Sequence, residues 1–200
     1  MLKIALFGNP GAGKSTTSLL IEDYCRSTDV TFRRIRLADP LYDIQSYIYG
    51  MAGHPLADFY DQDGELLSFL GGYLRKVNPT VLVDRFAEKL EAVIAELPDT
   101  SQGRSIIVCD DMRRLDAESL REHRFVFVRI SAAEGECHRR RLMRGDRSLS
   151  FAQHPVERGL DEIAQDSTLV NEGTFDDLRQ QVVAFLGRLL DDPNWPTHSG

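Results

Sequence analysis

The chain has 200 residues, 42% of them hydrophobic, and a formal net charge of −7. That is enough apolar content for one sizeable core, and nothing resembles a disordered, collagenous or disulfide-stapled polypeptide. The acidic balance argues against nucleic acid as the main partner, while a small anionic ligand stays allowed because local arginines can outweigh the global field.

In chain order, strand-length apolar runs are expected at Lys3–Phe7, Phe32–Leu37, Ser105–Cys109, Phe125–Ile130 and Thr168–Val170. Helical periodicity falls at Gly13–Cys25, Leu41–Met51, Leu66–Lys76, Val81–Glu96, Leu115–Arg121, Ala132–Met143 and Phe175–Leu190. This alternation predicts an α/β fold with a five-stranded parallel sheet and helices on both faces. Residues 38–100 exceed what a simple crossover needs and read as a helical insertion. Residues 144–154 read as a mobile loop, and the tail 191–200, with two prolines and a Ser-Gly end, as frayed. Cys25, Cys109 and Cys137 form neither a CxxC pair nor a zinc spacing, which fits a reducing cytoplasm. No run approaches the roughly 18 consecutive apolar residues of a membrane span, and the apolar N-terminus flows into a glycine-rich loop, so it reads as a core strand.

That loop is Gly8-Asn9-Pro10-Gly11-Ala12-Gly13-Lys14-Ser15, followed by Thr16. It satisfies G-x-x-x-x-G-K-[ST] between a strand and a helix, the context the motif requires. Its glycines let successive N–H groups aim inward at phosphates, helped by the positive end of the following helix. Lys14 would reach the β and γ phosphates of ATP, and the Ser15 hydroxyl would ligate Mg²⁺. The motif alone leaves kinase, GTPase and ATPase open.

Three further constellations point to a phosphotransferase. The buried strand Ile106–Cys109 ends in Asp110 and Asp111, placed to hold Mg²⁺ or to accept an acceptor's proton, with the choice between the two acids open. Arg113 and Arg114 follow at the carboxyl edge of the sheet, where a guanidinium can grip a phosphate with two hydrogen bonds. Arg139, Arg140, Arg141, Arg144 and Arg147 then crowd a short stretch of an acidic chain. Helical spacing puts Arg140 and Arg144 on one face, with Arg139 and Arg141 elsewhere, so residues 138–158 read as a lid over the transferring phosphoryl.

With these residues the sequence resembles the P-loop nucleoside monophosphate kinases, most closely the phage-type deoxynucleoside monophosphate kinases. The matching elements are GNPGAGKST, Ala38-Asp39-Pro40-Leu41, Leu66 to Gly71 with Arg75, Asp111-Met112-Arg113 with Glu118, and His154-Pro155-Val156-Glu157 before Val170-Asn171-Glu172-Gly173. The stretch from Asp111 to Arg114, with Glu157, Gly159 to Asp161 and Asn171, also resembles the animal type of phosphomevalonate kinase.

The resemblance implies a single P-loop kinase domain, a three-layer sandwich with core segments 1–37, 104–131 and 166–190. It implies that Arg75 and Arg113 hold the acceptor phosphate, that Asp111 lies beside the reacting oxygen and that Asp39 lines the acceptor base or sugar. Arg147 and Glu157 join the acceptor side, and Asn171 the adenine side of the donor. Pro10-Gly11 departs from the basic loop residues of the phage type. The expected partner is a small phosphorylated substrate, with (deoxy)nucleoside monophosphates ahead of phosphomevalonate or a modified base in DNA. A P-loop ATPase switch is the non-kinase alternative. A GTPase is disfavoured, since no [NT]-K-x-D element occurs. Homodimerisation stays open.

Overall fold

The structure, a computed structural model, describes residues 1–97, 104–143 and 159–191. Five strands, β1 (Leu2–Phe7), β2 (Thr31–Ile35), β3 (Ser105–Cys109), β4 (Val126–Ser131) and β5 (Ser167–Val170), form one sheet. Its order is β2-β3-β1-β4-β5, and every neighbouring pair is parallel. The helices are α1 (Lys14–Ser27), α2 (Asp39–Met51), α3 (Gly64–Val77), α4 (Val81–Glu96), α5 (Ala117–Glu122), α6 (Glu134–Met143) and α7 (Phe175–Asp191).

Both faces of the sheet are covered, which is why β1 and β3 read as near-continuous apolar runs. Ile4, Leu6, Ile106, Val108 and Val128 pack with Leu20 and Ile21 of α1 and Val182, Phe185 and Leu186 of α7. The intervening residues Ala5, Phe7, Ile107, Cys109 and Phe127 pack on the other face with Phe86 and Leu90 of α4 and Leu120 of α5. The two-residue period thus splits one hydrophobic run between two cores and gives the three layers that the sequence implies.

The topology also locates the site. From β1 the chain crosses outward past β3 to β2, whereas from β3 it crosses back past β1 to β4, so the connections of these neighbouring strands leave their carboxyl ends in opposite directions. A crevice opens there, and ligands of open α/β sheets lie in such crevices. The loop 8–14 leaves β1 at that point.

Boundaries differ from expectation where hydrogen bonding overrides hydropathy. β2 ends at Ile35 rather than Leu37 because the N–H groups of Leu37 and Ala38 turn to the carboxylate of Asp111. α2 starts at Asp39, earlier than Leu41, since Pro40 is tolerated in a first turn, where its missing N–H costs no helical bond. A 3₁₀ turn at Arg114–Asp116 precedes α5 where one helix is expected. The Asp63 side chain accepts from Leu66 N and caps α3, moving its start to Gly64.

Among the described residues no helix is long and apolar enough to cross a membrane. Residues 144–158, where the rest of a lid is expected with Arg144, Arg147, His154 and Glu157, and the tail 192–200 lie outside the described residues.

Phe7 is fully buried, edge-on to Phe127 with ring centroids 6.4 Å apart. Phe7→Ala should cost about 3 to 5 kcal/mol of stability, read as a lower urea midpoint with an unchanged m-value. A loss under about 1 kcal/mol would contradict this packing.

Candidate active site

The loop after β1 packs against β4 and Asn171 too closely for a side chain at two of its glycines. Gly8 has φ +143°, and a Cβ there would lie 2.2 Å from the carbonyl oxygen of Ile130. Gly13 has φ +107°, and its Cβ would lie 2.2 Å from Asn171 Nδ2. Ala12 N donates to Asn9 O at 3.0 Å, and the Ala12 carbonyl accepts from Asn171 Nδ2 at 2.7 Å. Asn171 also donates its own N–H to Ser131 O at 2.7 Å. Its buried amide therefore braces the loop from the β4–β5 side, and Asn171 also lines the cleft.

Lys14 Nζ donates to Gly8 O at 2.7 Å and Asn9 O at 3.3 Å. The ammonium lies across the mouth of its own loop, where phosphate oxygens could replace the carbonyls. Pro10, Gly11, Gly13, Lys14, Ser15 and Thr16 line a cleft of about 830 Å³. Gly8, Asn9 and Ala12 are absent from its wall and act through backbone shape. The buried Thr17 hydroxyl donates to Gly13 O at 3.0 Å, tying the first turn of α1 to the loop.

α6 brings Arg140 and Arg141 to the same cleft. Arg140 Nε donates to Glu136 at 2.8 Å and its Nη2 to Asn171 O at 3.0 Å. Its Nη1 is buried without a hydrogen-bond partner among the described residues. Arg139 points outward onto Glu136, and the two arginines pull the Glu136 carboxyl down to about 2. The expectation that Arg141 points away from the site is corrected: it is buried and lines the cleft.

At the end of β3, Asp110 is buried and takes both Arg34 and Arg36. Arg34 grips it through Nε at 3.1 Å and Nη2, and Arg36 Nε donates at 3.3 Å. Arg34 and Arg36, alternate residues leading out of β2, are cleft-lining side chains that sequence reasoning missed. The period-two spacing of two arginines at a strand end was the available signal. Asp111 accepts Leu37 N at 3.0 Å and Ala38 N at 2.9 Å, one on each oxygen. Enclosure and the neighbouring Asp110 push its carboxyl above the ordinary range against the pull of those two amides.

Asp110 accepts three hydrogen bonds from two guanidinium groups and Asp111 one amide on each oxygen, and both carboxylates line the cleft. Ser15, exposed at the start of α1, fits a Mg²⁺ ion that arrives with phosphates and keeps several waters.

Farther along the cleft, Arg75 donates to the buried Asp116 at 3.2 Å, and Asp116 also accepts Arg113 N at 3.2 Å. Both expected acceptor arginines, Arg75 and Arg113, line the cleft. Asp116 holds one by its guanidinium and the other by its backbone. Tyr42, Tyr60 and Gln62 complete this end: Arg36 sits over the Tyr60 ring at 3.8 Å, and Gln62 Nε2 donates to Tyr42 OH at 2.8 Å. Asp39 does not line the cleft. It pairs with Lys89 and accepts from Tyr60 OH at 3.3 Å, which braces Tyr60 at the cleft wall. Arg114 pairs with Glu162 at 2.6 Å, outside the lining.

No protein-family model matches the chain, and no curated protein matches it. Solved structures do. TT1252 from Thermus thermophilus shares 21% identity at a TM-score of 0.52, over 94% of this chain and 97% of that one. The Mycobacterium tuberculosis APS kinase CysC, solved with AMPPNP and APS, shares 14% identity at a TM-score of 0.50, over 93% of this chain and 97% of that one. The chain has the fold of the P-loop kinases, with a five-stranded parallel sheet between helical layers.

Asp111 supplies a pH-dependent test. With its folded pKa raised, the folded chain holds more protons than the unfolded chain between the ordinary carboxylate pKa and the raised one. Stability therefore falls as pH rises through that window. Asp111→Asn offers a single acceptor oxygen for two N–H groups and should cost about 1 to 3 kcal/mol at pH 4. The gap to wild type should narrow toward pH 7, because only the wild type titrates. Urea midpoints at both pH values check this, and a widening gap would contradict it.

Proposed function

We propose that this chain is an ATP- and Mg²⁺-dependent kinase that transfers the γ-phosphoryl group to the phosphate of a small acceptor, foremost a (deoxy)nucleoside monophosphate. One observation carries the reading. A single cleft joins the phosphate loop to a second set of arginines, Arg34, Arg36, Arg75 and Arg113, which a hydrolase acting on water would not need. A fold neighbour solved with AMPPNP and APS supports room for two ligands in this architecture.

The division of labour follows from position. Lys14 and the N–H groups of Gly11, Gly13, Lys14 and Ser15 bind the triphosphate, with Arg140 and Arg141 beside them. Arg113 and Arg75 face the acceptor phosphate, and Tyr42, Tyr60 and Gln62 offer a planar, hydrogen-bonding wall that suits a nucleobase better than an aliphatic acid such as phosphomevalonate. A bound Mg²⁺ would neutralise phosphate charge, with Ser15 as the protein ligand. A monophosphate acceptor near neutral pH needs little proton abstraction, so the residues act by alignment and charge neutralisation. Asp111, enclosed and amide-bound, orients the residue 37–38 turn and is not assigned as a base. Arg144 and Arg147 on the lid, and Glu157 on the acceptor side, complete the proposed site.

A coupled ADP-release assay over ribo- and deoxynucleoside monophosphates and phosphomevalonate tests the reading, and equal ADP release with and without any acceptor would favour an ATPase switch. Lys14→Ala should abolish transfer while leaving the thermal midpoint within a few degrees of wild type. Arg113→Ala should lose one to two decades in acceptor kcat/KM, about 1.5 to 3 kcal/mol. Its ATP affinity by calorimetry should stay within about twofold, and a tenfold ATP defect with an unchanged acceptor KM would move Arg113 to the donor side.

A further inference from the structure

We infer that Gln45 is a positioning residue that shapes the acceptor end of the cleft, an inference that rests on the kinase reading above. Gln45 is fully buried in α2, a costly place for an unpaired amide. Both ends of that amide are paired with the backbone of one segment: Nε2 donates to Asp61 O at 2.6 Å, and Oε1 accepts from Asp63 N at 3.1 Å. A single side chain thus takes the carbonyl and the N–H of residues two apart, as a neighbouring strand would. Between them stands Gln62, which lines the cleft and donates to Tyr42 OH.

The same stripe of α2 does more. Tyr42, Gln45 and Tyr49 recur at i, i+3 and i+7, so they share one helix face, and each contacts the segment that precedes α3. Tyr49 OH donates to Asp63 Oδ2 at 2.8 Å, while Asp63 Oδ1 accepts Leu66 N at 3.1 Å and caps α3. Fixing residues 61–63 therefore fixes three things at once: the direction of Gln62, the packing of Tyr60 against Tyr42 (centroids 5.1 Å apart), and the point where α3 begins. α3 then delivers Ser68, Gly71 and Arg75 to the cleft. Gln45 itself is absent from the lining, so it touches no acceptor and works through these groups.

The test uses the full chain and two variants. Gln45→Met keeps the volume and removes both hydrogen bonds. Gln45→Glu keeps the acceptor for Asp63 N–H and removes the donor to Asp61 O, so it carries the test if the methionine variant does not fold. The acceptor probe is the deoxynucleoside monophosphate that the wild type turns over best among the four common ones. The expected result for Gln45→Met is an acceptor KM raised tenfold or more, with ATP KM and kcat at saturating acceptor within twofold. Gln45→Glu, which when ionised sets a buried charge against Asp61 O, should show a defect of the same kind at least as large. Hydrogen exchange at the Asp63 amide should speed up in Gln45→Met and less in Gln45→Glu. An acceptor KM within twofold of wild type in a folded variant would overturn the inference. So would ATP KM and kcat moving as far as acceptor KM, the mark of general loosening. A wild-type chain that turns over no monophosphate would sink the kinase reading itself, visible before any variant is compared.

Discussion

Two adjacent carboxylates at the end of β3 decide how the chain leaves the sheet, and the rest of the cleft depends on that exit. The β2–β3 ladder runs in register to Ile35 and Cys109 and then stops. Asp111 takes the next two amide groups of the departing chain, at Leu37 and Ala38, in place of a strand carbonyl. Asp110 takes the two arginines that flank Ile35. A buried carboxylate with a 2% exposed side chain is tolerable only when paired and hydrogen-bonded. This pairing draws Arg34 and Arg36 over the strand end and sets the direction in which α2 starts.

The electrostatics follow from the same arrangement. The chain is acidic overall, yet its cleft gathers Lys14 and six arginines against Asp110, Asp111 and Asp116. The carboxylates do not cancel the arginines so much as aim them: Asp110 holds Arg34 and Arg36, and Asp116 holds Arg75. Guanidinium groups fixed before an anion arrives need little reorganisation when charge develops nearby, which is the form of electrostatic stabilisation that proteins supply most effectively. A local basic cleft in an acidic surface also concentrates small anions without recruiting long polyanions.

The fold was legible because its signals are local. Strands buried on both faces and a glycine loop between strand and helix are written in consecutive residues, and the structure returns all five strands in parallel. On the donor side, Lys14 to Gly8 spans 6 positions and Thr17 to Gly13 spans 4, while the brace from Asn171 to Ala12 spans 159. The acceptor end is held by bonds that span 76, 73, 41 and 18 positions, and no window of sequence contains them. Arg34 and Arg36 read as ordinary strand polarity, and Gln45 as one polar residue on an amphipathic helix. The bonds of Asp39 to Lys89 and of Asn171 to the loop carbonyl of Ala12 are likewise long-range and unreadable from a local window.

The two ends of the cleft also differ in how they can change. The phosphate loop is a short backbone geometry guarded by close contacts at Gly8 and Gly13, so a side chain added there must displace main-chain atoms or the bracing amide, and the donor half tolerates little variation. The acceptor wall hangs from a few buried polar residues, Gln45, Asp110 and Asp116, each tying a loop or helix start to the carboxyl edge of an apolar sheet. Loops held at single polar anchors can be resized or redirected without disturbing the two hydrophobic cores, because those cores lie on the sheet faces and the anchors lie beyond its edge. On the proposed function, acceptor choice is therefore separable from the packing of the two hydrophobic cores.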